Sequence, residues 1–536
     1  MRGAVMTLAT ALIPLPVLLP TLGAAATLVC GPRARVQRAI TLTVLTAVTA
    51  VAATLVYLAD RDGTLAVAIG GWDATPAGLG PLGITLVVDR LSALMLVVSA
   101  VVLLSVMVYA IGQGIRDGDD RQPVSIFLPT YLSLTAGVSM AFLAGDLFNL
   151  FVGFEVLLTA SYVLLTIGAS ADRVRAGIGY VMVSMVSSLI FLIGIALVYA
   201  ATGTLNLAEL ATRTGDLSTG IRTAIFAVLL VAFGIKAAVF PMSAWLPDAY
   251  PTAPAPITAV FAGILTKVGV YAIIRADTLL FPGGRLNPVL LVAALLTMLV
   301  GILGAIAQSD IKRLLSFTLV SHIGFLVFGV AVTTAVGTAG AIYYMVHHIV
   351  VMTTLFLAAG LIERQGGAST VARLGGLAAN PMLAFLFLVP ALNFGGIPPF
   401  SGFIGKVALL QAGTVNGSVL SWLLVAGTLA TSLLTLLVMA RVWSRVFWRP
   451  RVDAPEALAA AAPSVLLVNT EEIAFADRDD VGRMPRSMVA ATLALIAVAV
   501  GMTVAAGPVF GYTQRAADEI IDRGPYLSTV LGGGGR

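Results

Sequence analysis

Apolar residues run along the chain in stretches of about twenty, separated by short charged or Gly/Pro-marked turns. About twenty residues is the length a helix needs to cross a hydrocarbon core. Fourteen such spans are predicted, at 5–30, 37–58, 85–113, 126–144, 147–168, 174–203, 221–240, 254–276, 286–308, 311–330, 335–361, 381–412, 417–447 and 487–510. The third and twelfth are over-long and are expected to contain an interfacial or broken stretch. The first carries Pro14, Pro16 and Pro20, is long for a signal-peptide core, and reads as a retained span. Residues 205–213 (LNLAELATR) are too polar to span and read as a short helix at the membrane surface. The pattern is that of an all-α polytopic membrane protein.

Composition narrows the class further. Of 536 residues, 59% are hydrophobic and only 11% charged, against about 25% charged in soluble domains. Mean hydropathy is +1.01. A soluble enzyme, a disordered chain and a nucleic-acid binder are excluded together. The net charge of +5 then belongs to topology. Loops after odd-numbered spans hold eighteen of the 31 basic residues, including Arg33, Arg116, Arg121, Lys312 and Arg364, and the termini and other loops hold ten, among them Arg90 and Arg275. The positive-inside rule puts the richer side in the cytoplasm and both termini outside. The sole cysteine, Cys30, excludes a disulfide framework and a thiolate-held cluster. The organisation expected is 1–125 as N-terminal spans, 126–447 as a core, 448–486 as a cytoplasmic connection too short to fold alone, and 487–536 as a last span with an external tail.

The remaining three basic residues are lysines inside spans: Lys236, Lys267 and Lys406. All three histidines, His322, His347 and His348, also fall inside spans, and so does one of the seven glutamates, Glu155. A charge at the bilayer centre costs at least about 2.5–3.5 kcal/mol, so seven ionisable groups at that depth need a reason. Their type supplies one. The loops use arginine, which keeps its proton, whereas the spans use lysine and histidine, which can release theirs. Such a set suits proton transfer; the plain alternative is structural ion pairs and interhelical hydrogen bonds. His347 and His348 point about 100° apart on a helix, so one of them, His348, is expected to face the pathway.

Two spans are also broken. Pro241 deprives the carbonyl of Ala237 of its helical partner. The twelfth span contains Gly395-Gly396-Ile397-Pro398-Pro399, with Lys406 two turns beyond. Freed backbone groups cannot face lipid. Breaks in the seventh and twelfth spans point to an inverted-repeat transporter in which spans four to eight match nine to thirteen. Two ordinary proline kinks are the alternative. Gly145-Asp146 reads as a helix cap, and Asp89-Arg90 and Asp310-Ile-Lys-Arg as span-edge charges.

The segments GFEVLLTASYVLL, GIKAAVFPMSAWLPDAYPTAPAPITAVFAGILTKVGVYAIIR, SDIKRLLSFTLVSHIGFLVFG, YYMVHHIVVMTTLFLAAGLIER and NFGGIPPFSGFIGKVALL resemble the antiporter-like subunits of respiratory complex I and of the Mrp cation/proton antiporters, above all the D-type subunits of the Mrp complexes. The resemblance covers roughly residues 85–445. It implies fourteen helices with two inverted five-helix repeats. It implies that Glu155 and Lys236 form a pair, that Lys267 is the central lysine and that Lys406 is the lysine of the broken twelfth helix. His322 and His348 match the histidines of the tenth and eleventh helices. One position departs: Met352 stands where the family often has a lysine, and it cannot carry a proton.

The expectation is therefore a proton-translocating subunit of a multisubunit sodium/proton antiporter in the bacterial cell membrane, not an enzyme and without an organic cofactor. The resemblance implies the other Mrp subunits (A, B, C, E, F and G) as partners. A membrane-arm subunit of a redox-driven pump, such as complex I or a membrane-bound hydrogenase, would use the same residues. A scaffold without transport would leave the buried lysines replaceable.

Overall fold

The computed structural model describes residues 10–31, 33–70, 83–115, 126–167, 171–455, 466–467, 472–473 and 482–532. The start of the first expected span, Arg116, Arg121 and most of the 448–486 connection lie outside them.

Among the described residues twelve helices are long and apolar enough to cross a membrane, and two shorter apolar helices fill the fourth and twelfth expected places. In chain order the first set comprises α1 (Leu15–Val29), α2 (Ala34–Asp62), α3 (Arg90–Gln113), α4 (Phe127–Leu143), α5 (Leu147–Thr166) and α6 (Ala171–Thr202). The short α7 (Leu207–Arg213) leads into α8 (Thr219–Ala237), the short α9 (Trp245–Ala249) and the long α10 (Ala255–Leu280). Next come α11 (Asn287–Ile306), α12 (Ile311–Ala331), α13 (Ala335–Gly366), α14 (Pro381–Gly395), α15 (Ser401–Asn416), α16 (Val419–Trp448) and α17 (Arg486–Val504). Two further helices, α18 (Ala506–Asp522) and α19 (Gly524–Leu531), close the described chain.

Local chemistry sets many of these ends. Asp89 and Ser92 form a reciprocal capping box at the start of α3, so the over-long third span divides there. Its first residues instead form strand β2 (Thr85–Val88), antiparallel to β1 (Leu65–Ala68). Asp146 accepts from the backbone of Phe148 and Asn149 to cap α5. Asp310 accepts from Arg313 to cap α12. Each cap satisfies N–H groups that a helix start leaves unpaired.

Those two aspartates also expose the internal repeat. Leu147 N donates to Leu205 O and Leu207 N to Gly145 O, both at 2.9 Å. Ile311 N donates to Ser369 O at 3.0 Å and Val371 N to Ser309 O at 2.9 Å. The start of α5 is thus stitched to the chain after α6, and the start of α12 to the chain after α13, in one pattern. Close helix approach repeats too. A Cβ on Gly137 of α4 would lie 2.5 Å from Leu157 N of α5, and one on Gly301 of α11 would lie 2.4 Å from Ser321 N of α12. Neither position has room for a larger residue, as at packed transmembrane contacts. The two five-helix sets begin five spans apart, so matching helices run in opposite directions.

Three expectations need correction. Arg90 and Arg275, counted as loop charges, begin or lie within helices: Arg90 bonds to Asp60 and Glu519, and Arg275 is buried against Asp89. The last span stops at Val504, and the residues beyond it are helical and packed, with Glu519 accepting from Thr64 at 2.7 Å. Burial, together with the nearby Asp89 carboxylate, pushes the Glu519 carboxyl above its usual range. The eighth span extends to Leu280, its last turn, Ala276–Leu280, being π-helical like the turn Phe261–Leu265.

Candidate functional site

The seventh and twelfth spans break in the same manner. Helix α8 ends with Ala238 in the left-handed region and a cis Phe240–Pro241 bond follows; α14 ends with left-handed Gly396 and a cis Pro398–Pro399 bond follows. The two lysines use these breaks differently. Lys236 sits on the helix before its break, whereas Lys406 sits on the helix after its break and reaches back across it.

At the first break, Lys236 Nζ lies 3.9 Å from Glu155 Oε1. Ser188 of α6 stands between them: it accepts from Lys236 Nζ at 3.1 Å and donates to the Glu155 carboxylate. The ammonium also lies 5.1 Å from the centre of the Phe154 ring. Lys236 is buried, while the Glu155 side chain keeps 37% of its exposure. Beside Lys236 is a cavity of about 20 Å³, lined by residues including Ser184, Ser187, Tyr250 and Leu265. That is room for a water. The Tyr250 hydroxyl, wholly buried, has no hydrogen-bond partner among the described residues.

Lys267 lies two residues beyond Leu265, in the centre of α10 and fully buried. Its Nζ donates to Ala262 O at 2.5 Å, a carbonyl within the π-helical turn Phe261–Leu265. The wider turn alters the ladder of carbonyls around the lysine. Helices α8 and α10 touch closely here, since a Cβ on Gly269 would lie 2.7 Å from Ala237 N.

The histidines form one aromatic and polar cluster. His322 Nδ1 meets the Tyr344 hydroxyl at 2.7 Å and its Nε2 meets Thr435 Oγ1 at 3.2 Å. Its ring stacks on Phe394 at 3.8 Å and stands 5.7 Å from that of His348. His347 Nδ1 bonds to Ser401 Oγ at 3.0 Å, and Ser401 donates to Asn393 Oδ1 at 3.2 Å. Both adjacent histidines therefore enter the cluster. Both ring nitrogens of His348, His347 Nε2 and Asn393 Nδ2 lack partners among the described residues. Buried polar atoms of this kind call for ordered water.

Lys406 Nζ donates to Phe394 O at 3.2 Å and Gly395 O at 3.1 Å, and lies 5.3 Å from the Phe325 ring centre. These carbonyls are among those the break leaves unpaired. Neither Lys267 nor Lys406 meets a carboxylate within 4.0 Å among the described residues, unlike Lys236. Met352 is wholly buried on α13, one turn beyond His348.

Sequence reading missed the intermediates: Ser188, Tyr344, Ser401, Asn393 and Thr435. Each is an ordinary polar residue in an apolar helix, and only the fold brings it to its ionisable neighbour. It also missed the pair of Arg275 and Asp89, with two nitrogen–oxygen contacts of 2.6 Å. Among the described residues, no group of three or more His, Cys, Asp or Glu side chains is placed to hold a metal ion.

An inverted pair of five-helix sets, each broken beside a buried lysine, defines the class of antiporter-like membrane subunits. Residues 144–435 match the family described as NADH:quinone oxidoreductase/Mrp antiporter, transmembrane. The chain is 36% identical over 524 residues to the D subunit of the Na+/H+ antiporter of Alkalihalophilus pseudofirmus, covering 97% of this chain and 99% of that one. It is 34% identical to the D subunit of the Na+/H+ antiporter of Bacillus subtilis, over 82% of this chain and 88% of that one. A chain in the structure of the Mrp complex from Dietzia sp. superposes with a TM-score of 0.86 at 33% identity, over 98% of this chain and all of that one. The chain belongs to the NADH:quinone oxidoreductase/Mrp antiporter family, among the D-type subunits of its Mrp members.

Proposed function

We infer that the chain is the proton-translocating D-type subunit of a multisubunit monovalent cation/proton antiporter that exchanges Na+ for H+. The observation that carries this reading is the bridge from Lys236 through Ser188 to Glu155 beside a cavity lined by Ser184, Tyr250 and Leu265. A proton leaving Lys236 removes the attraction to Glu155 and frees Ser188 to reorient. The electrostatic change is felt by the next titratable group along the file. Lys267 acts as the central relay. His348, His322 and, through Ser401, His347 connect it to Lys406, with water completing the bonds these rings leave open. The pathway passes Met352 by the imidazoles, not through that side chain. The antiporter names of the relatives support the exchange reaction and a place in a multisubunit Mrp complex, and the partners proposed on the family resemblance are its other subunits (A, B, C, E, F and G). The loop charges support a cytoplasmic position for the arginine-rich side and an outer position for both termini in a bacterial cell membrane.

The family description includes membrane subunits of NADH:quinone oxidoreductases, in which the same residues would be driven by electron transfer elsewhere. The test is cation-dependent pH recovery in vesicles from an antiporter-deficient host expressing the whole complex. Sodium-driven recovery, without co-purifying flavin or iron–sulfur subunits, supports the antiporter. Recovery that requires an electron donor rejects it.

A further inference from the structure

Where α8 begins, the bundle presents two arginines without anions among the described residues. In the same end of the molecule Arg90, Arg213, Arg275 and Arg515 each pair with a carboxylate. Arg222 on the first turn of α8 and Arg285 just before α11 have no ion pair or side-chain hydrogen bond among the described residues. Both line a small cavity with Phe226, Phe281 and Gly283. Phe226 and Phe281 stack at 5.0 Å and 21° to form its apolar side. Gly283, at φ 120°, holds a conformation open to glycine alone, and a Cβ there would stand 3.5 Å from Arg222 Nη2.

The surface below this mouth is apolar in one narrow line. Along α11, Val289 is 63% exposed, Val292 42%, Leu296 37%, Val300 41% and Leu303 58%. Their three- and four-residue spacing keeps them on one face. The line runs about 21 Å from Val289 to Leu303, more than half of a hydrocarbon core about 30 Å thick. A ligand matching the whole surface is anionic at one end and carries a long apolar tail. Guanidinium groups suit phosphate through paired hydrogen bonds, and the stripe suits an acyl chain.

We propose that Arg222, Arg285 and the Phe226–Phe281 pair bind the phosphate headgroup of an anionic phospholipid whose chain lies along the exposed stripe of α11. An inorganic anion would satisfy the arginines and leave the stripe uncovered. A helix of another subunit would cover the stripe and need its own carboxylates at the arginines. The site is remote from the ionisable file, so it stands or falls apart from the transport reading.

The assembled complex, purified in mild detergent and stripped of loosely held lipid, is titrated with phosphatidylglycerol, phosphatidylcholine or inorganic phosphate. Bound lipid is read by native mass spectrometry and melting temperature by light scattering. Phosphatidylglycerol is expected to raise the melting temperature where phosphatidylcholine and phosphate do not. The Arg222→Ala/Arg285→Ala variant should hold phosphatidylglycerol about tenfold more weakly, the loss of charge-assisted hydrogen bonds. Arg285→Gln, a change at one exposed loop residue, should weaken it less and is the measure to use if the double variant does not assemble. Equal gains from phosphatidylcholine, or undiminished binding in both variants, overturn the proposal. So does a gain from phosphate alone, which would mark a soluble-anion site. Cross-linking of residue 222 or 285 to another subunit would mark a protein interface and also overturn it.

Discussion

The ring of Phe394 lies flat against the imidazole of His322, with centroids 3.8 Å apart and planes 11° from parallel. The backbone carbonyl of the same phenylalanine accepts from Lys406. One residue at the end of α14 thus touches the histidine cluster with its side chain and the lysine with its main chain. In the proposed relay, a change in the charge of Lys406 would alter a hydrogen bond to a residue that packs against His322. On that proposal the broken helix would have a role beyond kinking, its free carbonyls registering the state of the lysine.

Lys267→Ala should abolish sodium/proton exchange while the complex still assembles. The residue is wholly buried with a single carbonyl acceptor, so its removal deletes the central titratable group and leaves a space without an orphaned anion. Exchange is measured as pH recovery in everted vesicles, normalised to assembled complex. Near-normal exchange would dismiss the relay role.

Glu155→Gln and Lys236→Ala should each lower exchange, and the double variant should lose far less than the sum of the two. Residues bridged through one hydroxyl share their interaction energy, and a double-mutant cycle reads it as non-additivity. Ser188→Ala should resemble the single changes in direction and be milder, because the 3.9 Å ion pair persists without the bridge. Additive losses would mean that Glu155 and Lys236 act independently.

The pair of Asp89 and Arg275 is a stability element. Its members sit at the start of α3 and within α10, both nearly unexposed, and Arg275 also donates to the Tyr271 hydroxyl at 3.1 Å. Removing one partner strands a buried charge, at a cost of about 3–5 kcal/mol. Asp89→Asn should therefore lower the melting temperature of the purified complex strongly. Asp89→Asn/Arg275→Gln should restore much of it, since neither charge remains. A double variant as unstable as the single one would assign the loss to packing and not to charge.

The sequence made the spans legible because lipid imposes one length and one polarity on every helix that crosses it. Lys236, Lys267, Lys406 and the three histidines stood out for the same reason: each breaks that polarity. The breaks were legible from Pro241 and from the Gly395–Pro399 run. What escaped was whatever depends on distant segments meeting. Ser188 looks like any serine in a helix until α6 brings it to Glu155 and Lys236. Arg275 looks like a loop charge until Asp89, far back in the chain, neutralises it. The π-helical turn below Lys267 has no residue signature, because it is a register shift within an unbroken apolar run. The packed helices α18 and α19 were hidden by their ordinary polar composition.

Lys406 separates fixed charge from proton transfer. Its Nζ caps Phe394 O and Gly395 O, and a lysine needed only for those caps could be replaced by arginine, which keeps the charge and offers more donors. A lysine that must release its proton could not, because an arginine stays protonated, with a pKa above about 12. Lys406→Arg is expected to assemble and lose most exchange, with Lys406→Ala no better. The space is tight: Lys406 lies against Gly396, where an added Cβ would meet its Cδ at 2.9 Å, so the bulkier guanidinium must be checked for assembly before its activity is judged. Lys406→His restores a titratable group of smaller reach and should recover part of the exchange. The measurement is sodium-dependent pH recovery per assembled complex. Full activity in the arginine variant would return Lys406 to the role of a cap on a broken helix, and the proton path would have to end at the histidines.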